Sequence, residues 1–263
     1  MPVRGGTTST IGLLAVSAAL IGSFVAIELR SKAPLLPMRI FRLRSLSAAN
    51  ATAVMIGGIA FSQFFLLTLY MQDVLGYSAI RTGVGFATVT FTIIVFSQVG
   101  QRLVTRFGVR SVLTAGLLLD SVSLGLFTQL PSGGHYFWNL FPGMVVGGVG
   151  LALSFVPVTI AGLTGVSRAD AGIASGLINT SRQVGGAVGL AAVSTIVTAY
   201  TTDGSTAAVD SGLTRGFQVG FLILSGVALL GAAIAGILLA PQPERAEVDL
   251  FNRDCPNPLE EAA

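Results

Sequence analysis

One carboxylate lies deep in an apolar run. Asp120 follows Leu117, Leu118 and Leu119 and is followed closely by Val122. A charged side chain at the centre of a bilayer costs about 2.5–3.5 kcal/mol on insertion scales, and low-dielectric surroundings favour a carboxyl group that holds its proton. Asp120 is therefore the candidate for proton coupling or for meeting a cationic compound. The other reading is a residue paired inside a bundle or wetted by local water. Arg182 and Gln183 lie about two turns into another apolar run. The arginine either extends its stem toward the membrane surface or faces a central cavity, where it tunes electrostatics or gating. Asn179, Gln63 and Gln98 are uncharged polar residues in or near apolar runs. Each is either a hydrogen-bonded packing group or a cavity-lining one.

Other chemistry is poorly supplied. The chain holds one cysteine, Cys255, and one histidine, His135. Structural zinc sites use several Cys or His ligands, so none of the ordinary type can be assembled. The histidine falls in a short polar hairpin, and no Ser-His-Asp set is convincing. The expectation is a protein that is not an enzyme and that needs no cofactor beyond a proton gradient. A net charge of +3 from 15 basic and 12 acidic residues is too weak and scattered for a nucleic-acid reader.

The elements that must position these residues are set by composition. Hydrophobic residues make up 52 % of the 263 and charged residues 10 %, against about 25 % charged in soluble domains. The charges cluster, leaving seven apolar runs at 10–29, 49–70, 80–101, 109–130, 137–163, 174–200 and 217–240. Each can cross a hydrocarbon core of about 30 Å at 1.5 Å per residue. Helix is the expected state, because backbone in lipid must satisfy its own hydrogen bonds and strict alternation is missing. The first run is longer than a signal core and lacks a small-residue cleavage pattern, so it reads as a true span. Gly172 with Gly176, Gly185 with Gly189, and Gly143 with Gly147 place small residues on single helix faces, which lets helices approach closely. Pro157 should kink the fifth span. Tyr136 and Trp138 near a span end fit an interfacial belt.

Charge sets the expected orientation. Eleven basic residues fall on one side: Arg30, Lys32, Arg39, Arg42, Arg44, Arg102, Arg106, Arg110, Arg168, Arg245 and Arg253. The other side has three, Arg4, Arg81 and Arg215. Cytoplasmic loops carry the Lys and Arg excess, so the N-terminus is expected outside and the C-terminus in the cytoplasm of a cell-membrane protein. The tail after Pro241 is rich in Pro, Glu and Asp and is expected to be disordered.

Three stretches carry a family resemblance. Gln101-Arg102-Leu103-Val104-Thr105-Arg106-Phe107-Gly108-Val109-Arg110 resembles the loop motif Gly-x-Leu-x-Asp-Arg-x-Gly-Arg-Lys of the major facilitator superfamily. Arg106, Gly108 and Arg110 match it; Gln101, Thr105 and Val109 depart from it. Leu69-Tyr70-Met71-Gln72-Asp73-Val74-Leu75-Gly76-Tyr77-Ser78-Ala79-Ile80-Arg81-Thr82-Gly83, and the stretch from Asp170 to Gly189 that holds Asn179, Arg182, Gln183, Gly185, Gly186 and Gly189, are similar to the fourteen-span drug/proton antiporter family within that superfamily. The loop Pro34-Leu35-Leu36-Pro37-Met38-Arg39-Ile40-Phe41-Arg42 fits it too.

The resemblance, from about residue 10 to 240, implies an all-α polytopic fold: the C-terminal six-helix half of a major facilitator transporter after one linker helix. The domains expected are a linker helix in 1–30, a basic cytoplasmic loop in 31–48, the six-helix half in 49–240 and a tail in 241–263. The function implied is proton-coupled export of small amphipathic drugs or metabolites by alternating access, with the Gly185–Gly189 face in a position tied to antiport. About half of a family transporter is missing. The chain is then a truncated gene, a fragment or one half of a split transporter, and the alternative function is a non-transporting remnant or a partner subunit. The expected partners are the bilayer, a small-molecule substrate, protons, and a separate N-terminal half or a second copy.

Overall fold

The structure is a computed structural model that describes residues 6–31, 43–131, 133–201 and 206–239. Arg4, Lys32, Arg39, Arg42, and the tail from Pro241 with Arg245, Arg253 and Cys255, lie outside the described residues. The regular elements are helices: α1 (Gly6–Arg30), α2 (Arg44–Leu69), α3 (Ala79–Phe127), α4 (Phe141–Leu163), α5 (Ala171–Thr201) and α6 (Thr206–Leu238). Wide π-helical turns extend α2 over Tyr70–Val74 and precede α4 over Tyr136–Leu140. The chain divides into two units, Met1–Arg42 and Leu43–Ala263. The first contains α1, whose apolar side chains, Leu13, Leu20 and Ile27 among them, are exposed. A helix that is apolar all round belongs in lipid or a large core.

The six helices make seven passes because α3 is two helices in one. Gly108 interrupts it with φ 78° and ψ 157°, a conformation that costs any residue with a Cβ. The chain reverses there. A Cβ on Gly100 would touch the side chain of Leu153, and one on Gly116 would touch the backbone of Leu153. In a straight helix those two glycines would stand about 24 Å apart. The expected loop at 102–108 is thus helix up to Phe107, with the turn made at a single residue. Thr105 Oγ1 donates to the Arg102 carbonyl at 2.8 Å in the last turn before the reversal.

Among the described residues, five helical segments are long and apolar enough to cross a membrane: Ile11–Arg30, Arg44–Val74, Ala79–Phe127, Tyr136–Leu163 and Thr214–Leu238. Helix α5 is outside that set, since Asn179, Thr180, Ser181, Arg182 and Gln183 interrupt its apolar character. Its 31 residues still extend about 46 Å, and it runs along α2. The fold is an all-α polytopic membrane bundle, with six of its passes in the second unit.

Packing in that unit follows a two-fold exchange. Helices α2 and α5 run parallel, with Val54 against Gly185 and Ser62 against Gly189. The first arm of α3 runs parallel to α4, with Val89 and Thr92 beside Gly148 and Gly100 beside Leu153. Helix α6 is antiparallel to α2, pairing Gly220 with Leu66 and Gly231 with Met55. The second arm of α3 is likewise antiparallel to α4, pairing Gly143 with Phe127 and Gly116 with Ser154. Exchanging the first three passes with the last three therefore maps each pairing onto another, as inverted repeats require. The core is filled by Leu66, Leu67, Tyr70, Met71, Leu113, Leu117, Phe127, Phe217 and Phe221, all essentially inaccessible. Tyr70 meets Phe217 edge-on at 6.2 Å, and Phe127 tilts on Phe221 at 5.2 Å. Helix α2 begins five residues before its apolar run because Leu46 is fully buried and Ser45 Oγ donates to the Ala161 carbonyl of α4 at 2.7 Å.

Candidate functional site in the bundle core

Asp120 sits on the second arm of α3 with 1 % of its surface accessible. It faces α4 where that helix has no side chain: a Cβ on Gly150 would overlap its carboxylate. Ser154, one turn further along α4, donates to Asp120 Oδ2 at 3.3 Å. Among the described residues Oδ1 has no hydrogen-bond partner. Leaving a buried polar atom unmet is costly, so this atom is where a proton or a water has most to gain.

Further polar groups follow the same face. Ser123, one turn from Asp120, donates to the Gly143 carbonyl at 2.7 Å. Gln63 of α2 is 2 % accessible, its Oε1 has no partner among the described residues, and its amide nitrogen and the Ser123 hydroxyl converge on Gly147. Gln63, Ser123, Asp120 and Ser154 thus form a buried polar string along α4. On the opposite side of the second arm, Ser121 and Ser225 of α6 share a hydrogen bond at 2.9 Å.

Pro157 lies inside α4 and is buried. It has no N–H to give, so the Leu153 carbonyl loses its intrahelical donor. That carbonyl and the Ser154 hydroxyl are the groups that face Gly116. The structure puts this weakened turn directly beside Ser154 and Phe155.

Arg182 reaches α4 from the other direction. Its guanidinium carbon lies 5.2 Å from the centre of the Phe155 ring, and its Nε has no acceptor among the described residues. Asp120 and Arg182 therefore engage consecutive residues of α4, Ser154 and Phe155. The backbone around Arg182 is held by the seam with α2, where a Cβ on Gly57 would overlap the Arg182 carbonyl and one on Gly185 would overlap that of Val54. Ser181 Oγ donates to Asn50 Oδ1 at 2.8 Å across the same seam.

The other expected residues are spread more widely. Gly186 is buried against Phe61, and half-buried Gly189 packs against Gly58 and Ser62. Nothing lies within 4 Å of a Cβ added at Gly172 or Gly176. Asn179, Gln183 and Gln98 are exposed on the bundle's surface and not gathered at Asp120. In the turn, Arg106 is exposed with its guanidinium 5.3 Å from the Phe107 ring centre, and Arg110 is half-buried. Sequence reading did not single out Gly57, Gly150, Ser154 or Phe155. The doublets Gly57-Gly58 and Gly147-Gly148 were a usable signal; Ser154 and Phe155 had none, because their role comes from what crosses them.

A polytopic bundle with inverted-repeat pairing and a carboxylate buried between its helices has the build of a secondary-transporter half. The sequence matches the Major Facilitator Superfamily over residues 5–190 and 50–259. The chain belongs to that superfamily. It is 33 % identical over 242 residues to the MFS-type transporter EfpA of Mycobacterium tuberculosis, a match covering 88 % of this chain and 45 % of that protein. It is 31 % identical over 253 residues to the puromycin resistance protein of Streptomyces alboniger, covering 92 % and 50 %. It is 31 % identical over 231 residues to the lincomycin resistance protein of Streptomyces lincolnensis, covering 88 % and 46 %. The chain spans about half the length of these relatives.

Proposed function

We propose that this chain is the C-terminal half of a proton-coupled exporter of small amphipathic drugs or metabolites. The observation that carries the reading is Asp120, buried between two helices of a bundle with one carboxylate oxygen unmet. A proton arriving there neutralises the buried carboxylate; its departure leaves a charge that, among the described residues, a single serine hydroxyl meets. Such a change of charge favours a different packing of the second arm of α3 against α4. Helix α4 is weakest at Pro157, next to the residues that Asp120 and Arg182 engage. Protonation of Asp120 beside Ser154 and a shift of Arg182 over Phe155 are thereby coupled through one helix turn. Arg182 tunes the cavity or its gate, and the α2–α5 seam is the surface on which the bundle rocks. Gln63 belongs to the same buried string, while Asn179, Gln183 and Gln98 line the face turned to the rest of the transporter. Within this reading, 49–240 is the transporting half, 1–30 the linker segment, 31–48 a cytoplasmic loop and 241–263 a cytoplasmic tail. The pathway is completed by a separate N-terminal half or by a second copy of the chain.

The test is efflux of a fluorescent amphipathic cation such as ethidium from cells expressing the chain, alone and together with the N-terminal half of a family member. Dissipating the proton gradient should stop wild-type efflux. Asp120→Asn should lose the dependence on the gradient while reaching the membrane in equal amount. Unchanged gradient-driven efflux in that variant would remove Asp120 from the mechanism. The alternative reading is a partner subunit or remnant with no transport of its own. It predicts no efflux from the chain expressed alone.

A further inference from the structure

A second site lies at the end of the bundle, away from Asp120. The start of α3 and the wide turn before α4 enclose a cleft of about 720 Å³, within the range of small-molecule sites. One wall is aromatic: Tyr136 and Phe137 meet edge-on at 5.6 Å, and Phe137 and Phe141 tilt together at 5.7 Å. Trp138 stands beside them with 85 % of its surface accessible. The facing wall is Val84, Gly85 and Thr88 of α3. The walls are clamped, since Tyr136 Oη donates to the Gly85 carbonyl at 2.7 Å and shares a hydrogen bond with Thr88 at 2.8 Å.

The cleft holds one arginine. The Arg81 guanidinium carbon lies over Tyr77, 3.9 Å from the ring centre. Stacking fixes its plane and leaves its edge N–H groups for a ligand, and among the described residues no carboxylate or carbonyl takes them. An aromatic wall alone would suit a cation, but a cation here would face Arg81. A carboxylate or phosphate head suits the guanidinium fork, and an apolar body suits the rings. The position at helix ends, with an exposed tryptophan, is that of the membrane–water boundary.

We propose that this cleft binds an amphiphile with an anionic head, the head on Arg81 and the body against Phe137, Trp138 and Phe141. The occupant is drawn either from the membrane, as an anionic phospholipid, or from solution. The site is independent of transport.

Trp138 is the chain's only tryptophan, so its fluorescence reports on the cleft directly. The full chain would be placed in lipid nanodiscs containing brominated phosphatidylglycerol or brominated phosphatidylcholine at equal mole fraction. Stronger quenching by the anionic lipid identifies the membrane as the source. A change of Trp138 emission on adding dodecyl phosphate to phosphatidylcholine discs, without that lipid preference, identifies solution as the source. In either case Arg81→Gln should weaken the anion's effect about tenfold or more and Arg81→Lys should restore part of it. Dodecyltrimethylammonium, the charge-reversed probe, should leave wild-type emission unchanged. The proposal falls if both lipids quench equally and dodecyl phosphate has no effect. It also falls if Arg81→Gln responds like wild type, or if the cationic probe binds as well as the anionic one.

Discussion

Asp120 is a residue whose cost to the fold is not repaid by the fold. It is inaccessible, it accepts one long hydrogen bond of 3.3 Å, and its second oxygen has no partner among the described residues. Removing a poorly met buried charge is commonly neutral or stabilising. Asp120→Asn should therefore keep or raise the thermal midpoint in detergent, measured by light scattering or intrinsic fluorescence, while gradient-driven efflux is lost. A drop of several degrees would mean that the carboxylate is structural. Gly150→Val gives the opposite pattern. Its side chain would overlap the carboxylate, and overpacking of that kind costs about 1–3 kcal/mol, so the midpoint should fall. Asp120 was legible in the sequence because a charge in an apolar run is conspicuous. Its donor was not, because a serine in a helix gives no sign of what it faces. Gln63 illustrates the same limit: its type marked it, and only the crossing of α2 with α4 placed it beside Ser123.

At the scale of the helix, backbone proximity decides which substitutions matter. Between α2 and α5 the main chains approach so closely that a side chain at Gly57 or Gly185 would displace one helix from the other. Gly57→Leu or Gly185→Leu should lower stability by about 1–3 kcal/mol or more, read as a fall in the detergent melting midpoint. Gly176→Leu, in open space on the same α5, should stay within about 0.5 kcal/mol. Equal effects at all three would mean that the seam does not bear on stability. The seven apolar runs predicted the passes with few errors, since hydrophobic length is what a bilayer demands. The ends were less legible. Arg44, Ser45 and Ser47 are polar, yet they are helical because Leu46 is buried and Ser45 is tied to α4. The glycine pairs were legible as a pattern, but pattern alone did not separate the packed pair Gly185 and Gly189 from the open pair Gly172 and Gly176. Spacing defines a face; the neighbour that uses it is a tertiary fact.

For the whole molecule, sidedness and assembly are the properties that experiment reads directly. The lone Cys255 offers a direct check on the proposed orientation. A membrane-impermeant maleimide should label it in inverted vesicles and not in intact cells. Labelling in intact cells would reverse the topology. The family and the architecture were readable from composition, run length and motif. Whether one copy suffices was not, because the answer depends on surfaces outside this chain. Light scattering of the purified protein should return twice the chain mass if a second copy completes the pathway, and the monomer mass if a separate half does. The Gly108 turn has a bearing on how such a molecule is made. With a single residue joining two passes, neither arm has slack to wait on the far side of the bilayer for the other. We infer that the pair enters the membrane as one hairpin. Threading Arg102, Arg106 and Arg110 across to invert it would cost about 2.5–3.5 kcal/mol for each. We propose that the single-residue turn also constrains biogenesis, since inverting the hairpin would carry three arginines across the bilayer.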